Sequence, residues 1–263
     1  MVIHPIRLSA TGKAMPVGVV LARQRDTWMP RALQPGSVTV VQAHSEDFVG
    51  GCGGFVRHLV GLGSAVRLIT LFPSGRDPQE LRMREAEIAA TAATLGIQAD
   101  PPIGPPTERG AVVRILDGFL RRDRPELVLS PSAAPEMERH AEHLLAGDLT
   151  LAALAGTGRT AAHWRYGNVT CAPEPWLARA DRAFVLLPDD LARRGELYRL
   201  HASQLARRPN ARWAALPGDE TAADYVELSE RRSRFQLGGL RGAAGLEAAA
   251  GVELFQSGEH GAA

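Results

Sequence analysis

The stretch VVQAHSEDFVGGCGGFVR, residues 40–57, joins a hydrophobic run to an acidic cluster and then to a glycine-rich segment. Its first residues have the apolar character of a buried strand, and its last residues begin a run with helical periodicity. An imidazole and two carboxylates, from His44, Glu46 and Asp47, lie between the two elements. Because a charge taken out of water needs a partner or a cation to compensate it, we expect a charged ligand at this end of the strand.

Strands and helices alternate along most of the chain. Apolar runs predict strands at 38–43, 66–71, 127–130 and 183–187, and helical patterns predict helices at 55–62, 79–95, 111–122 and 140–155. Gly96 follows the second of these helices, where a left-handed residue commonly ends a helix. The alternation is typical of an α/β fold, in which a Rossmann-like, mostly parallel sheet carries helices on both faces.

The same patterns divide the chain into three parts. Residues 1–36 are expected to form an N-terminal extension of undetermined structure, and residues 37–190 the Rossmann-like core that carries the site. Residues 191–263 are expected to complete the same domain as a smaller α+β portion that lines the site. This portion is predicted to contain a helix at 191–205, a strand at 225–228 and a mobile or surface segment at 238–251.

Composition excludes several classes of function. The chain has 263 residues, of which 45% are hydrophobic and 22% charged, as in an ordinary globular protein. Its formal net charge of +1 provides no field that would attract nucleic acid or an anionic membrane. No segment approaches the roughly 20 apolar residues of a membrane-spanning helix. The two cysteines form no CxxC motif, so we expect no disulfide framework, no thiolate metal site and a reducing, cytoplasmic location.

Polar clusters follow two of the predicted strands. In parallel sheets, ligands bind at the carboxyl ends of the strands, so the clusters at 44–47 and 130–143 are predicted to lie on the same rim. A dinucleotide site is disfavoured there because Val56 occupies the position of the third glycine in the G-x-G-x-x-G pattern. The acidic residues would also repel a pyrophosphate.

A divalent metal ion fits the two clusters better. His44 and Asp47 are three residues apart on a turn and can face one point, and imidazole and carboxylate ligands together suit zinc. The segment HAEH, residues 140–143, offers a third ligand on the same rim. The alternative is that HAEH is a set of solvated polar residues at a helix start.

Several motifs occur in an order that matches a known family. The segment AHSEDFVGGCGG, residues 43–54, corresponds to (P/A)HPDDE and a glycine-rich helix start, with Ser45, Glu46 and Phe48 as departures. The other matches are LITLFPSG at 68–75, REAEIAATAATLGI at 84–97, HAEH at 140–143, LHASQ at 200–204 and VELF at 252–255. Over about residues 37–255, the sequence therefore resembles the PIG-L-type, LmbE-like zinc N-deacetylases.

The resemblance implies roles for individual residues. It implies a zinc ion with three protein ligands, His44, Asp47 and His143. Glu46 would be the general base, and His140 would face the tetrahedral intermediate. Glu142 would orient His140 and raise its basicity without binding the metal itself. Arg84 would contact the substrate.

The resemblance also implies the reaction, the metal-dependent hydrolysis of an N-acyl group from an amino sugar or pseudosaccharide. The preferred acyl group is N-acetyl. The reaction is expected to belong to bacterial antibiotic (aminoglycoside or glycopeptide) or related secondary metabolism. The expected partner is the small N-acylated substrate, and neither nucleic acid nor a membrane is expected to bind. Whether the chain forms a homo-oligomer is left open. The alternatives are a mycothiol-conjugate-type amidase and a catalytically weakened member that binds a sugar.

Overall fold

The computed structural model describes residues 18–21, 35–73, 77–104, 108–158, 161–168, 171, 176, 179–180, 182–205, 225–239 and 249–257. The strands there are β1 (Gly18–Leu21), β2 (Ser37–Gln42), β3 (Ala65–Thr70), β4 (Gln98–Ala99), β5 (Leu127–Pro131), β6 (Ala162–Tyr166), β7 (Arg182–Leu186) and β8 (Gly251–Ser257). The helices are α1 (Asp47–Gly61), α2 (Pro78–Leu95), α3 (Arg109–Asp123), α4 (Ala141–Thr157), α5 (Pro188–Arg199), α6 (Ala202–Leu205) and α7 (Tyr225–Gly239).

The described strands form one sheet in the order β1-β7-β8-β6-β5-β2-β3-β4. Strand β8 runs antiparallel to both of its neighbours, and the other described pairings are parallel. Helices pack on both faces, so the predicted α/β class with a mostly parallel sheet is confirmed. Among the described residues, no helix combines the length and apolar character needed to cross a membrane.

Alternate residues of strand β2 point to opposite faces of the sheet. Val38 and Val40 join the core that contains Phe55 of α1, whereas Val41 joins a second core with Leu116 of α3. A strand buried on both faces gives a mainly apolar run in the sequence, without the alternation of a strand that faces water. Because β2 and β5 pair in parallel, their carboxyl ends lie side by side, and the loops that follow them meet at one edge.

The glycine-rich segment allows α1 to lie directly against the sheet. A Cβ atom at Gly51 would lie 2.4 Å from the Tyr166 ring of β6. A Cβ atom at Gly54 would lie 2.3 Å from the Leu186 side chain of β7. Both distances are far below van der Waals contact, so these glycines are required by helix–sheet packing.

A buried carboxylate caps α1 where the helix is kinked. Cys52 has non-helical torsion angles (φ −149°, ψ 18°). Just beyond it, the backbone N–H groups of Gly54 and Phe55 donate to the two oxygens of Glu253, at 2.9 and 2.8 Å. Arg194 of α5 lies 3.4 Å from the same carboxylate, so the charge brought in by β8 has both hydrogen bonds and a counterion.

The C-terminal portion differs from the sequence prediction in two ways. The predicted strand at 225–228 is wrong, because these residues begin helix α7. The predicted helix at 191–205 is divided into α5 and α6, with His201 between them. The predicted mobile segment at 238–251 falls largely on residues 240–248, which lie outside the described residues. The three-part division of the chain stays a prediction.

Candidate metal centre

The loop after β2 is folded by two buried side chains. Gln42 donates to the Ser45 carbonyl at 3.3 Å and accepts the Phe48 backbone N–H at 3.2 Å. The Asp47 carboxylate accepts the backbone N–H of His44 at 2.7 Å. These bonds close a tight turn, and they bring the imidazole of His44 to within 3.4 Å of the Asp47 carboxylate.

The side chains of His44, Asp47 and His143 form a small triangle where this loop meets the first turn of α4, with a different oxygen of Asp47 facing each histidine. Nδ1 of His44 lies 3.1 Å from Nε2 of His143 and 3.4 Å from Oδ2 of Asp47. Nε2 of His143 lies 3.2 Å from Oδ1 of Asp47. In a tetrahedral zinc site with bonds of about 2.0–2.2 Å, the ligand atoms are about 3.3–3.6 Å apart. The three side chains are therefore spaced nearly as the ligands on one face of such a site, with the two distances to Asp47 ending on different oxygens of its carboxylate.

Each of these side chains also has a hydrogen-bond partner on the side that faces away from the triangle. Nδ1 of His143 lies 3.0 Å from Oε2 of Glu138, and Nε2 of His44 lies 2.7 Å from Oε2 of Glu142. The amide of Asn168 donates to Oδ1 of the aspartate at 2.7 Å. A carboxylate at the outer ring nitrogen holds the ring proton there, which leaves the inner nitrogen free to bind a metal.

The charges at the triangle are suited to a cation. Burial would lower the pKa of His44, but the carboxylates of Asp47 and Glu142 raise it to about 9. Burial acts in the same sense on His143, yet Asp47 and Glu138 hold its pKa well above the ordinary value. The two imidazoles in turn hold the pKa of Asp47 well below its usual range, against the effect of burial. A divalent cation could replace the two imidazole protons charge for charge.

His140 lies against both imidazoles. Its ring centroid is 4.5 Å from that of His143 and 4.9 Å from that of His44. Burial, together with the charge on these neighbours, lowers its pKa to about 4. Its Nδ1 accepts the backbone N–H of Glu142 at 3.3 Å, which leaves the proton of the neutral ring on Nε2.

Two ligand sets are therefore within reach of one ion. Donor atoms of His44, His140 and His143 all lie within 4.8 Å of one another. The set with Asp47 in place of His140 has shorter edges, none above 3.4 Å, and matches the geometry of zinc more closely.

Glu46 is half-buried beside the triangle, between two hydrogen-bond donors. The hydroxyl of Ser45 donates to Oε2 of Glu46 at 2.9 Å. With the Gln204 amide oriented so that its oxygen faces the guanidinium of Arg84, its nitrogen donates to Oε1 of Glu46 at 3.2 Å. Burial and the charge of Asp47 raise the pKa of Glu46.

For two residues, the contacts in the structure differ from the roles that the resemblance implies, and those roles stay predictions. The carboxylate of Glu142 was expected to orient His140, but it lies on His44, and its backbone N–H is the group that reaches His140. Arg84 was expected to contact substrate, but it is only 1% exposed and faces Glu80 and Gln204. In this arrangement the guanidinium contacts protein groups, and its contact with substrate stays a prediction.

Three residues of the site went unpredicted as functional: Glu138, Asn168 and Gln204. Glu138 had a usable signal, because it lies in a predicted rim loop, two residues before HAEH. Asn168 follows strand β6, which the sequence analysis did not predict. Gln204 belongs to the LHASQ motif, to which the resemblance assigned no role for the glutamine.

Comparisons with known proteins identify solved structures that share the fold. N,N'-diacetylchitobiose deacetylase from Pyrococcus horikoshii is 16% identical with a TM-score of 0.64, over 85% of this chain and 84% of that one. The A40926 pseudoaglycone deacetylase Dbv21 is 15% identical with a TM-score of 0.58, over 87% and 99%. The 4-carboxy-2-hydroxymuconate hydratase GalB from Pseudomonas putida KT2440 is 20% identical with a TM-score of 0.62, over 84% and 95%.

These likenesses concern the fold. No protein-family model matches the sequence, and no curated protein matches it either. Since both deacetylases and a hydratase have this fold, the fold alone does not select a reaction. The argument for function must therefore come from the site.

Proposed function

We propose that the protein is a metal-dependent hydrolase that removes an N-acyl group, in the first place N-acetyl, from an amino sugar or pseudosaccharide. The observation that carries the proposal is the triangle formed by the side chains of His44, Asp47 and His143, with edges of 3.1–3.4 Å. Solved deacetylases with the same fold support the reaction class. One is named for diacetylchitobiose and the other for the pseudoaglycone of the antimicrobial reagent A40926, which supports the substrate class and a place in antibiotic or related secondary metabolism.

Zn²⁺ is the ion that we propose for the site. His44, Asp47 and His143 would hold it, since two imidazoles and one carboxylate are a known zinc donor set that leaves a position open. A bound zinc would polarise an amide carbonyl and supply acidified water. Glu138, Glu142 and Asn168 would keep the ligands in place, because each holds one of them by a hydrogen bond.

Glu46 and His140 are the proposed catalytic residues. The carboxylate of Glu46 would accept the proton of the attacking water, and the increase in its pKa caused by burial and Asp47 makes it a stronger base. The neutral ring of His140 carries its proton on Nε2, from which it would donate a hydrogen bond to the developing oxyanion. The amine would leave with the proton that Glu46 takes from the water, because a neutral His140 could give up its proton only by becoming an imidazolate.

The test is metal analysis followed by an assay for released amine. Purified protein is expected to contain one zinc ion per chain and to release amine from at least one member of a panel of N-acetylated amino sugars, aminoglycosides, glycopeptides and thiol conjugates. Chelation should abolish the release, and added Zn²⁺ should restore it. Protein that contains zinc but releases no amine from any compound would contradict the proposed reaction. Cleavage of the thiol conjugates alone would favour the amidase instead.

A further inference from the structure

A row of polar side chains runs along one face of α2 towards the site. Its members occupy positions i, i+4, i+7 and i+11 of the helix, which is the spacing of a single helical face: Glu80, Arg84, Glu87 and Thr91. Arg84, Glu87 and Thr91 are 1%, 6% and 0% exposed. Buried polar groups are costly unless their hydrogen bonds are made, so the partners of this face indicate what it does.

The partners lie in the short segment 201–204, around α6. Glu87 accepts both the backbone N–H and the hydroxyl of Ser203, each at 2.7 Å. Thr91 lies 2.9 Å from Nε2 of His201, a side chain with no exposed surface. Through these contacts, the helix α2 fixes the position of a four-residue helix that has little hydrogen bonding of its own.

The last residue in this arrangement is Gln204, which connects α2 to the candidate base. Its amide oxygen faces the guanidinium of Arg84, 2.7 Å from Nη2, and its amide nitrogen faces Oε1 of Glu46 at 3.2 Å. Since a guanidinium only donates and a carboxylate only accepts, this orientation satisfies both neighbours. The hydroxyl of Ser45 donates to the other oxygen of Glu46.

We propose that Gln204 is a positioning residue: held by the buried Arg84, it fixes the carboxylate of Glu46 in the orientation needed for proton transfer. A glutamate has several rotatable side-chain bonds, and the hydroxyl of Ser45 alone leaves one carboxylate oxygen without a donor from this arrangement. The second donor restricts the carboxylate from the opposite side. The kinetic part of the inference rests on the proposed hydrolase function, whereas the placement of Glu46 does not.

Two substitutions separate the parts of this arrangement. Gln204→Glu is nearly isosteric and keeps an acceptor for Arg84, but it removes the N–H group that donates to Glu46. Gln204→Met removes both hydrogen bonds at similar side-chain length. Thr94→Val is the matched control, because it deletes a threonine hydroxyl of the same helix whose hydrogen bond, to the Ala90 carbonyl at 2.8 Å, lies within α2 and plays no part in placing α6.

Crystal structures and kinetics of the zinc-loaded proteins test the proposal. In both Gln204 variants, the Glu46 carboxylate should leave its wild-type position, and kcat should fall by about 10–100-fold. KM and zinc content should stay within about twofold, since no ligand is removed. Thr94→Val should leave the position of Glu46 unchanged and kcat within about twofold of wild type.

The proposal is overturned if Glu46 keeps its wild-type position in both Gln204 variants, or if their kcat equals that of wild type. If wild-type protein releases no amine from any substrate, the proposed function fails, and the crystal structures alone then decide whether Gln204 places Glu46. If one variant does not fold, the other gives the same comparison.

Discussion

Replacing Glu138 with glutamine should weaken zinc binding by moving the ring proton of His143. The carboxylate is 1% exposed, and its Oε1 accepts the backbone N–H groups of Arg139 and His140 at 2.7 and 2.9 Å. A glutamine at 138 would keep these bonds by placing its oxygen there, which turns its NH₂ group towards Nδ1 of His143. That nitrogen would then have to accept, so the ring proton would move to Nε2, the atom that faces the triangle.

We therefore expect Glu138→Gln to bind zinc about 10–100-fold more weakly, a loss of about 1.4–2.7 kcal/mol. The assay is a competition titration against a chromophoric chelator. Glu136→Gln is the control, since this acid in the same loop has a 45% exposed side chain paired with Arg179. Zinc affinity within about twofold of wild type in Glu138→Gln would refute the proposed dependence of the site on the His143 tautomer.

Further substitutions and conditions test other parts of the account. Glu46→Ala should keep its zinc and lose about 10²–10⁴-fold in kcat, whereas Asp47→Ala should lose zinc itself; equal zinc content and near-wild-type turnover in both would contradict these roles. The pKa of His44 without metal is raised to about 9, so its contribution to stability is complete below about pH 6.5 and is lost as the pH rises through 9. Chelated protein should therefore be less stable to urea at pH 9 than at pH 6.5, and its zinc affinity should rise over the same range; a flat profile would argue against the assignment. Gly54→Ala places a Cβ atom 2.3 Å from Leu186 and should destabilise the fold by about 1–3 kcal/mol, while Gly61→Ala, with no atom within 4 Å, should not.

Much of the sheet could be predicted because its parallel strands are buried on both faces. Strand β2 carries the buried residues Val38, Val40 and Val41 for that reason, and its end is marked by the change to His44 and the acidic residues. The shared rim followed from topology, since the loops after β2 and β5 must meet if the two strands are neighbours. Nothing in the sequence alone stated that they are neighbours, and the structure shows it.

The C-terminal portion was harder to predict because its buried faces are polar. Helix α7 buries Ser229, Arg232 and Ser233, so the apolar periodicity that reveals a helix is weak there. The face of α2 that reaches Gln204 is also buried and polar, so apolar periodicity does not reveal it either. Arg84 was visible as a motif residue, but its burial depends on the packing of α6, which the sequence did not indicate.

The central claim concerns which atoms hold the metal, and anomalous diffraction from zinc-loaded crystals tests it directly. We predict one ion per chain, about 2.0–2.2 Å from Nδ1 of His44, Nε2 of His143 and a carboxylate oxygen of Asp47. A crystal with no ion at the triangle, or with an ion held by His140 while Asp47 is not bound to it, would contradict the account.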